Sequence, residues 1–500
     1  MADKSIIIIG AGIAGLSAGC YGQMNGYRTR IFEMHTQPGG LCTSWKRKGY
    51  TFDGCIHWLA GSGPGTSFNR IWLELGAVQG RRIVDHEEFV RIEGAGGKTL
   101  IVYTDVDRLE QHMKELAPED ADVIKEFADA VRLFTNFDMP LDKPRELYGP
   151  LDGLKIAFRM LPFLKAFGKW KKTSVHDFTT RLSDPFLREA FPSLILGLPD
   201  FPMLALLMTL ALMHNRDAGY PIGGSLPFSQ AVERRYLDLG GEVYYKSRVE
   251  KILVENDHTV GVRLADGTEH HADIVISAAD GHATIFDMLE GKYINDKIRG
   301  YYDELPIFSP LIQISLGVAR DLSNESHTLS YPLEEPITVA GEVQKRLRVK
   351  HYCFDPSLAP AGKSVVVVLI GSNYEYWKNL YTERECYEAE KQQIATTVIG
   401  QLERRFPDIT EQIEVVDVAT PITYERYTGN WQGSFEGWLI TSKTFGMSMS
   451  KTLPGLQNFY MVGQWVQPGG GLPPTALSGR NVIQIICKRD KKPFVTQVPI

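Results

Sequence analysis

The residues best suited to chemistry lie near the start of the chain. Gly10-Ala11-Gly12-Ile13-Ala14-Gly15 is a G-x-G-x-x-G run, and Glu33 stands at the end of the next predicted strand. Each position suits a task in holding a dinucleotide. Gly10 permits a tight turn, Gly12 lets backbone approach a pyrophosphate, and Gly15 lets a helix pack close to a strand. The amides of Ile13 and Ala14, at the positive end of a helix dipole, then face the phosphates. The Glu33 carboxylate can accept hydrogen bonds from ribose hydroxyls. Glycines also make ordinary turns, so the context decides. The β-branched run Ser5–Ile9 precedes the motif, Gly10–Gly15 reads as the turn, Leu16–Asn25 as a helix and Thr29–Phe32 as the next strand. This is the opening of a Rossmann-like unit.

A second glycine pair follows at once, in Gln37-Pro38-Gly39-Gly40-Leu41, and brings another stretch of backbone within reach of a cofactor. Then comes Gly49-Tyr50-Thr51-Phe52-Asp53-Gly54, with His57 just beyond. Asp53 reads as an anchor for backbone amides rather than a base. His57 is the candidate catalytic group, or else a hydrogen-bonded structural histidine. Trp58 and Trp465 either line a cavity or belong to the core. No Ser-His-Asp set or carboxylate pair stands out. The six cysteines, at 20, 42, 55, 353, 386 and 487, form no C-x-x-C, so no metal site is expected and buried reduced thiols are. Gly94-Ala95-Gly96-Gly97 reads as a hairpin turn, so no second dinucleotide domain is expected.

These segments resemble the carotenoid desaturase and retinol saturase group of FAD-dependent oxidoreductases, which share a fold with the monoamine oxidases. Tyr220-Pro221-Ile222-Gly223-Gly224 is similar to that group's Y-P-x-G-G, and Ser247–Ile252 to the strand whose valine, here Val249, lies on the adenine. Gly463-Gln464-Trp465-Val466-Gln467-Pro468-Gly469-Gly470-Gly471-Leu472-Pro473 resembles the closing motif beside the flavin. The segment Pro421–Gly437 resembles one found in carotenoid isomerases and saturases. The resemblance runs from Gly10 to Pro473. It implies FAD, with Gly10, Gly12, Ile13, Ala14, Gly15, Glu33, Gly39, Gly40, Leu41, Val249, Gly463, Gly471 and Leu472 as its contacts. It also implies hydride exchange with carbon–carbon bonds of a lipophilic polyene or isoprenoid-like substrate, by desaturation, saturation or isomerisation. Two departures stand out. Leu41 replaces a frequent arginine, which leaves more of the phosphate binding to backbone, and Cys55 replaces a glycine. Ile56-His57-Trp58 resembles the saturase branch. Two other readings stay open. One is a flavin amine oxidase, with Tyr427 or Trp431 in an aromatic cage. The other is a non-catalytic prenyl- or lipid-binding protein of the same fold.

The elements that must position these residues follow from length and pattern. A chain of 500 residues exceeds a single core, and 43% hydrophobic with 23% charged residues suits a globular protein. The net charge of −6 argues against nucleic acid as a partner. The expected fold is α/β: a discontinuous Rossmann-like FAD-binding domain over 1–80, 220–290 and 430–500, with an inserted mixed-sheet substrate domain over 81–219 and 291–429. Residues near 105–215 lack strand alternation and read as a helical cap. Within it, Leu151–Lys172 carries Lys155, Arg159, Lys165, Lys169, Lys171 and Lys172 against one acid, Asp152, with apolar residues that form no single stripe. This stretch is either a docking surface for an anionic membrane or a lid helix with a solvated basic edge. The apolar run Met203–Met213 is short of the ~20 residues of a membrane span. Glycines interrupt the first apolar run, so a signal peptide is not expected. The chain reads as cytoplasmic, with membrane association and oligomeric state left open.

Overall fold

Isoleucines at 6, 7 and 8, all without solvent exposure, sit at the centre of a five-stranded parallel sheet in the computed structural model, which describes residues 4–195 and 197–499. Its strand order is Glu242–Tyr244, Arg28–Phe32 (β2), Ser5–Ile9 (β1), Ile274–Ser277 and Phe459–Met461. A strand buried on both faces needs apolar residues on both, which explains the unbroken run in β1. One sheet thus gathers strands from three distant parts of the chain. The first helix, α1, spans Ile13–Met24 and starts three residues earlier than expected. Gly12 is already extended as its N-cap, and the Leu16 amide bonds Gly12 O at 2.9 Å, so the turn is only Gly10–Gly12.

A second, seven-stranded mixed sheet has the order Ile413–Ala419, Leu311–Val318, Ser364–Gly371, Glu342–His351 (β3), Thr328–Val339, Glu88–Glu93 and Thr99–Tyr103. The pair Thr328–Val339 with Glu88–Glu93 is parallel, and its other pairs are antiparallel. The long hairpin into β3 was not legible in the sequence, because prolines and charges interrupt it. A register shift between Pro332 and Ile337 absorbs the prolines. Along β3, Leu347 and Val349 enter one hydrophobic core while Arg348 and Lys350 turn to the other face.

Helices between Val106 and His214 form a cap with its own core. Within it Pro150–Met160 and Leu164–Trp170 are helices joined by a 3-10 turn at Pro162. The absence of a single stripe here has a structural reason, because the apolar residues divide between two faces. Leu151, Leu154, Phe158 and Leu161 form an outward stripe, with Leu151 74% and Phe158 65% exposed. Ile156, Met160, Phe163 and Phe167 face inward. Two interleaved helical stripes on opposite faces read in sequence as none. Among the described residues no helix is long and apolar enough to cross a membrane. All six thiols are free, but Cys386 is exposed and Cys55 and Cys353 only half-buried, which corrects the expectation of buried thiols.

Candidate active site

One cavity of about 1840 Å³ runs between the two sheets and under the cap. Drug-sized ligands occupy pockets of roughly 300–1,000 Å³, so this one has room for a dinucleotide and a second molecule. Gly10, Gly12, Ile13, Ala14, Glu33, Gly39, Gly40, Leu41, His57, Val249, Gly463, Gly471 and Leu472 all line it. Gly15, expected among the cofactor contacts, lies off its wall. A Cβ there would stand 2.0 Å from Gly10 O, so Gly15 serves the approach of α1 to the turn.

At one end the cavity is made of backbone. The mouth of α1 has no side-chain cap, which leaves its first amides free. A Cβ on Gly12 would meet nothing nearer than Gly39 O at 3.9 Å, so the space before the helix is open to a ligand. Gly39 and Gly40 adopt φ of +111° and +60°, and the Gly39 amide ties this second loop to Ala11 O at 2.9 Å. The Glu33 carboxylate takes one amide on each oxygen, from Ala11 and His35, each at 2.7 Å. Each oxygen keeps a further lone pair for a ribose hydroxyl. This cradle fits the ADP half of FAD.

The closing motif frames the middle of the cavity. Gly469, Gly470 and Gly471 all have positive φ and lead into a second uncapped helix, α2, over Leu472–Arg489. Gly463 donates to Ser478 Oγ at 2.8 Å. A Cβ on Gly470 would fall 2.5 Å from an oxygen of Glu436, so this carboxyl lies directly against the glycine run. Burial alone pushes Glu436 up to about 7, with no charged partner among the described residues to offset it. Trp465 is buried and lines the cavity; Trp58 lines it too, 38% exposed.

Beyond lies a chamber built from side chains. Asp53 anchors its floor: its carboxylate accepts from the amides of Cys55, Ile56 and Ser225 and from the Ser225 hydroxyl, at 2.6–3.1 Å. A Cβ at Gly224 would fall 2.1 Å from Asp53 Oδ2, the physical reason for glycine at the end of the Tyr220–Gly224 motif. His57 accepts from Lys350 Nζ, which is 3.3 Å from both His57 Nδ1 and His57 O. Burial first, then the charges of Lys350 and Arg348, hold His57 well below the ordinary histidine range, so it is neutral at pH 7. Gln313 donates to Asp53 O at 2.9 Å and accepts from Tyr424 at 3.2 Å. The apolar wall comes from the cap, with Met160, Phe167, Leu206 and Leu212, and from Phe445.

Sequence reasoning missed Glu436, Arg348, Lys350 and Gln313. Only Glu436 had a local signal, as the one charged residue between Trp431 and Trp438. The two aromatics considered for an amine cage do not face each other. Tyr427 meets His35 edge-on at 5.3 Å, beside Glu33, while Trp431 packs with Trp465 and His282.

Comparison with known proteins agrees with this geometry. The family described as flavin containing amine oxidoreductase matches residues 13–487. A chloroplastic prolycopene isomerase of Arabidopsis thaliana is 26% identical, covering 95% of this chain and 81% of its own. A lycopene-forming phytoene desaturase of Pseudescherichia vulneris is 26% identical, covering 95% of this chain and 98% of its own. Among solved structures, an oxidoreductase from Methanosarcina mazei superposes with a TM-score of 0.63 at 20% identity, over 96% of this chain and all of that one. A putrescine oxidase bound to putrescine gives 0.59 at 14% identity, over 97% of this chain and 99% of that one; both show the shared fold.

Proposed function

The chain belongs to the flavin containing amine oxidoreductase family, and on that premise we propose that it is an FAD-dependent oxidoreductase acting on carbon–carbon bonds of a long polyene or isoprenoid-like molecule. FAD, when bound, supplies hydride uptake or release at its N5. In this reading Gly12, Ile13 and Ala14 hold the pyrophosphate, Glu33 the ribose, and Val249 the adenine. Gly39, Gly40 and Leu41 close over the phosphates, and Gly463, Gly471 and Leu472 hold the flavin end. Residues 1–80, 220–290 and 430–500 form the cofactor domain, and the remainder forms the substrate domain with its cap.

Glu436 then handles the proton. In desaturation the Glu436 carboxylate would take the proton from the carbon next to the one oxidised, as the C=C bond forms between the two, and FAD held by the residues above would supply the hydride acceptor. Saturation runs in reverse, and isomerisation proceeds without net electron transfer. A carboxyl near pH 7 is suited to both giving and taking a proton. His57, held neutral, fixes Lys350 at the chamber floor rather than taking the proton itself.

The observation that carries this reading is the continuity of one cavity from an amide-lined cradle to an apolar chamber under the cap. The amine-oxidase alternative asks for facing aromatics, and Tyr427 and Trp431 lie in separate clusters. The test is anaerobic mixing of holoprotein with phytoene, lycopene and simple amines, followed by flavin absorbance. Bleaching of oxidised flavin by the less unsaturated carotene, or reoxidation of reduced flavin by lycopene, is expected. Bleaching by amines alone would sink it.

The outward stripe of the cap gives the substrate a route. Leu151, Leu154, Phe158 and Leu161 face outward beside exposed Lys155 and Lys165, while Ile156 and Met160 of the same helix line the cavity. Apolar side chains ringed by lysines suit an anionic bilayer surface. Such docking would set the cavity mouth against the lipid. Flotation with anionic vesicles at low salt checks it.

A further inference from the structure

Strand β3 carries two cations into the chamber, and among the described residues no carboxylate pairs directly with either. Arg348 and Lys350, two residues apart, share one strand face, and both line the cavity. Arg348 Nη1 donates to the carbonyls of Ser193 and Leu194 at 2.7 and 3.4 Å, and the guanidinium lies 5.9 Å from the Phe89 ring. Among the described residues it has no carboxylate partner. Arg346, one step along the same face, is paired with Glu189 at 3.0 Å. Lys350 contacts His57 and lies 5.0 Å from the Tyr352 ring.

The surrounding groups leave Arg348 without a counter-charge and Lys350 with only a distant one. His57, His86, His327 and His351 are all held below the ordinary histidine range, chiefly by burial, so none adds or cancels charge at pH 7. Asp53 opposes the Lys350 charge but contacts neither cation, its oxygens accepting from four other donors. Glu88 pairs with Arg91 at 2.7 Å, and the charge opposing Asp85 is Arg216. Burial lowers Lys350 to about 7 and Arg348 to about 10. A buried cation without a counter-charge is costly, and an anionic ligand seated against it would offset that cost.

We infer that the substrate is a long apolar molecule with a carboxylate terminus, which seats on Arg348 and Lys350 while its chain runs under the cap. This rests on the proposed function and narrows it. The proposed phosphate cradle is the mouth of α1, whereas Phe89 and Leu194, beside Arg348, belong to the cap core. One planar guanidinium fork with one ammonium matches a carboxylate. A diphosphate would ask for more charge or a metal, and the described residues hold no metal-binding cluster.

The test compares all-trans-retinoic acid, its methyl ester and retinol as probes of the holoprotein, read by flavin fluorescence and thermal shift. The acid is expected to bind roughly tenfold or more tightly than the ester. Arg348→Met should erase that preference with ester affinity and flavin content retained, and Arg348→Lys should restore part of it. Equal or tighter binding of the ester by wild type overturns the carboxylate inference and leaves the polyene reading standing. Absence of binding by all three overturns both. The wild-type comparison needs no variant to fold.

Discussion

The two ends of the cavity are built in opposite ways. At the proposed phosphate end the groups on offer are backbone amides, brought into place by glycines within the first forty residues. At the chamber end they are side chains, Glu436, Arg348, Lys350 and His57, from strands and loops hundreds of positions apart. Backbone sites tolerate no added atom where the chain packs on itself, so they fail abruptly when a methyl intrudes. Side-chain sites can lose a group and keep their walls, so they fail in function before they fail in folding.

The sharpest way to break this contrast is at Gly15. A Cβ would lie 2.0 Å from Gly10 O, and backbone cannot rotate away. Gly15→Val is expected to yield no folded, flavin-loaded protein, judged by soluble yield and near-UV circular dichroism. Gly12→Ala sharpens the point. Gly12 has φ −68° and no atom nearer than 3.9 Å, so the variant should keep apo stability within ~0.5 kcal/mol. It should still lose most of its FAD, seen in the flavin-to-protein absorbance ratio.

At the chamber end, Glu436→Gln should keep the flavin and fold but slow single-turnover hydride exchange by about 10²–10⁴-fold. The wild-type rate should show a limb near pH 7 that the variant lacks. An unchanged rate would move the proton chemistry elsewhere.

Lys350 gives a smaller, pH-dependent effect. Its ordinary value of 10.5 falls to about 7 in the fold, so between those values the unfolded chain binds one more proton than the folded one. Wild-type stability therefore climbs with pH across that window, and the cost of the buried ammonium is fully present below it. Lys350→Met should be more stable than wild type at pH 6, with the gap closing towards pH 10 by thermal melts. The charged neighbours Asp53 and Arg348 and the histidines around them are common to both proteins, so the difference isolates Lys350.

The smallest structural effect is expected on the cap surface. Leu151→Ser with Phe158→Ser removes exposed apolar area and should change stability by no more than ~0.5 kcal/mol. It should nonetheless weaken flotation with anionic vesicles. Unchanged flotation would remove the outward stripe from the docking argument.

The contrast also explains what was legible in the sequence. A strand, three glycines, a helix and an acid are neighbours in the chain, so their spacing alone announces a cradle. The first helix was placed three residues late because an N-cap glycine in extended conformation looks like part of the turn. The cap helix was readable as helix but not as a two-faced element. Leu151, Leu154, Phe158 and Leu161 alternate with Ile156, Met160, Phe163 and Phe167, so no single apolar stripe stands out in the sequence. Only the body beneath the helix tells inner stripe from outer. The hairpin ending in β3 was hidden because prolines and charges interrupt it, and two of those charges, Arg348 and Lys350, turn into a cavity instead of into water.

By itself, then, the sequence determined the glycine turn, the parallel strands behind it and the helical character of the cap. Those features rest on contacts between residues near in the chain, or on runs whose hydrophobicity permits only burial. Tertiary structure alone decided which polar groups share the chamber. Residue 350 meets residue 57, and residue 436 meets residue 470, through strand order and loop closure. Their protonation follows from the removal of water, which no stretch of sequence fixes before the chain has folded around it.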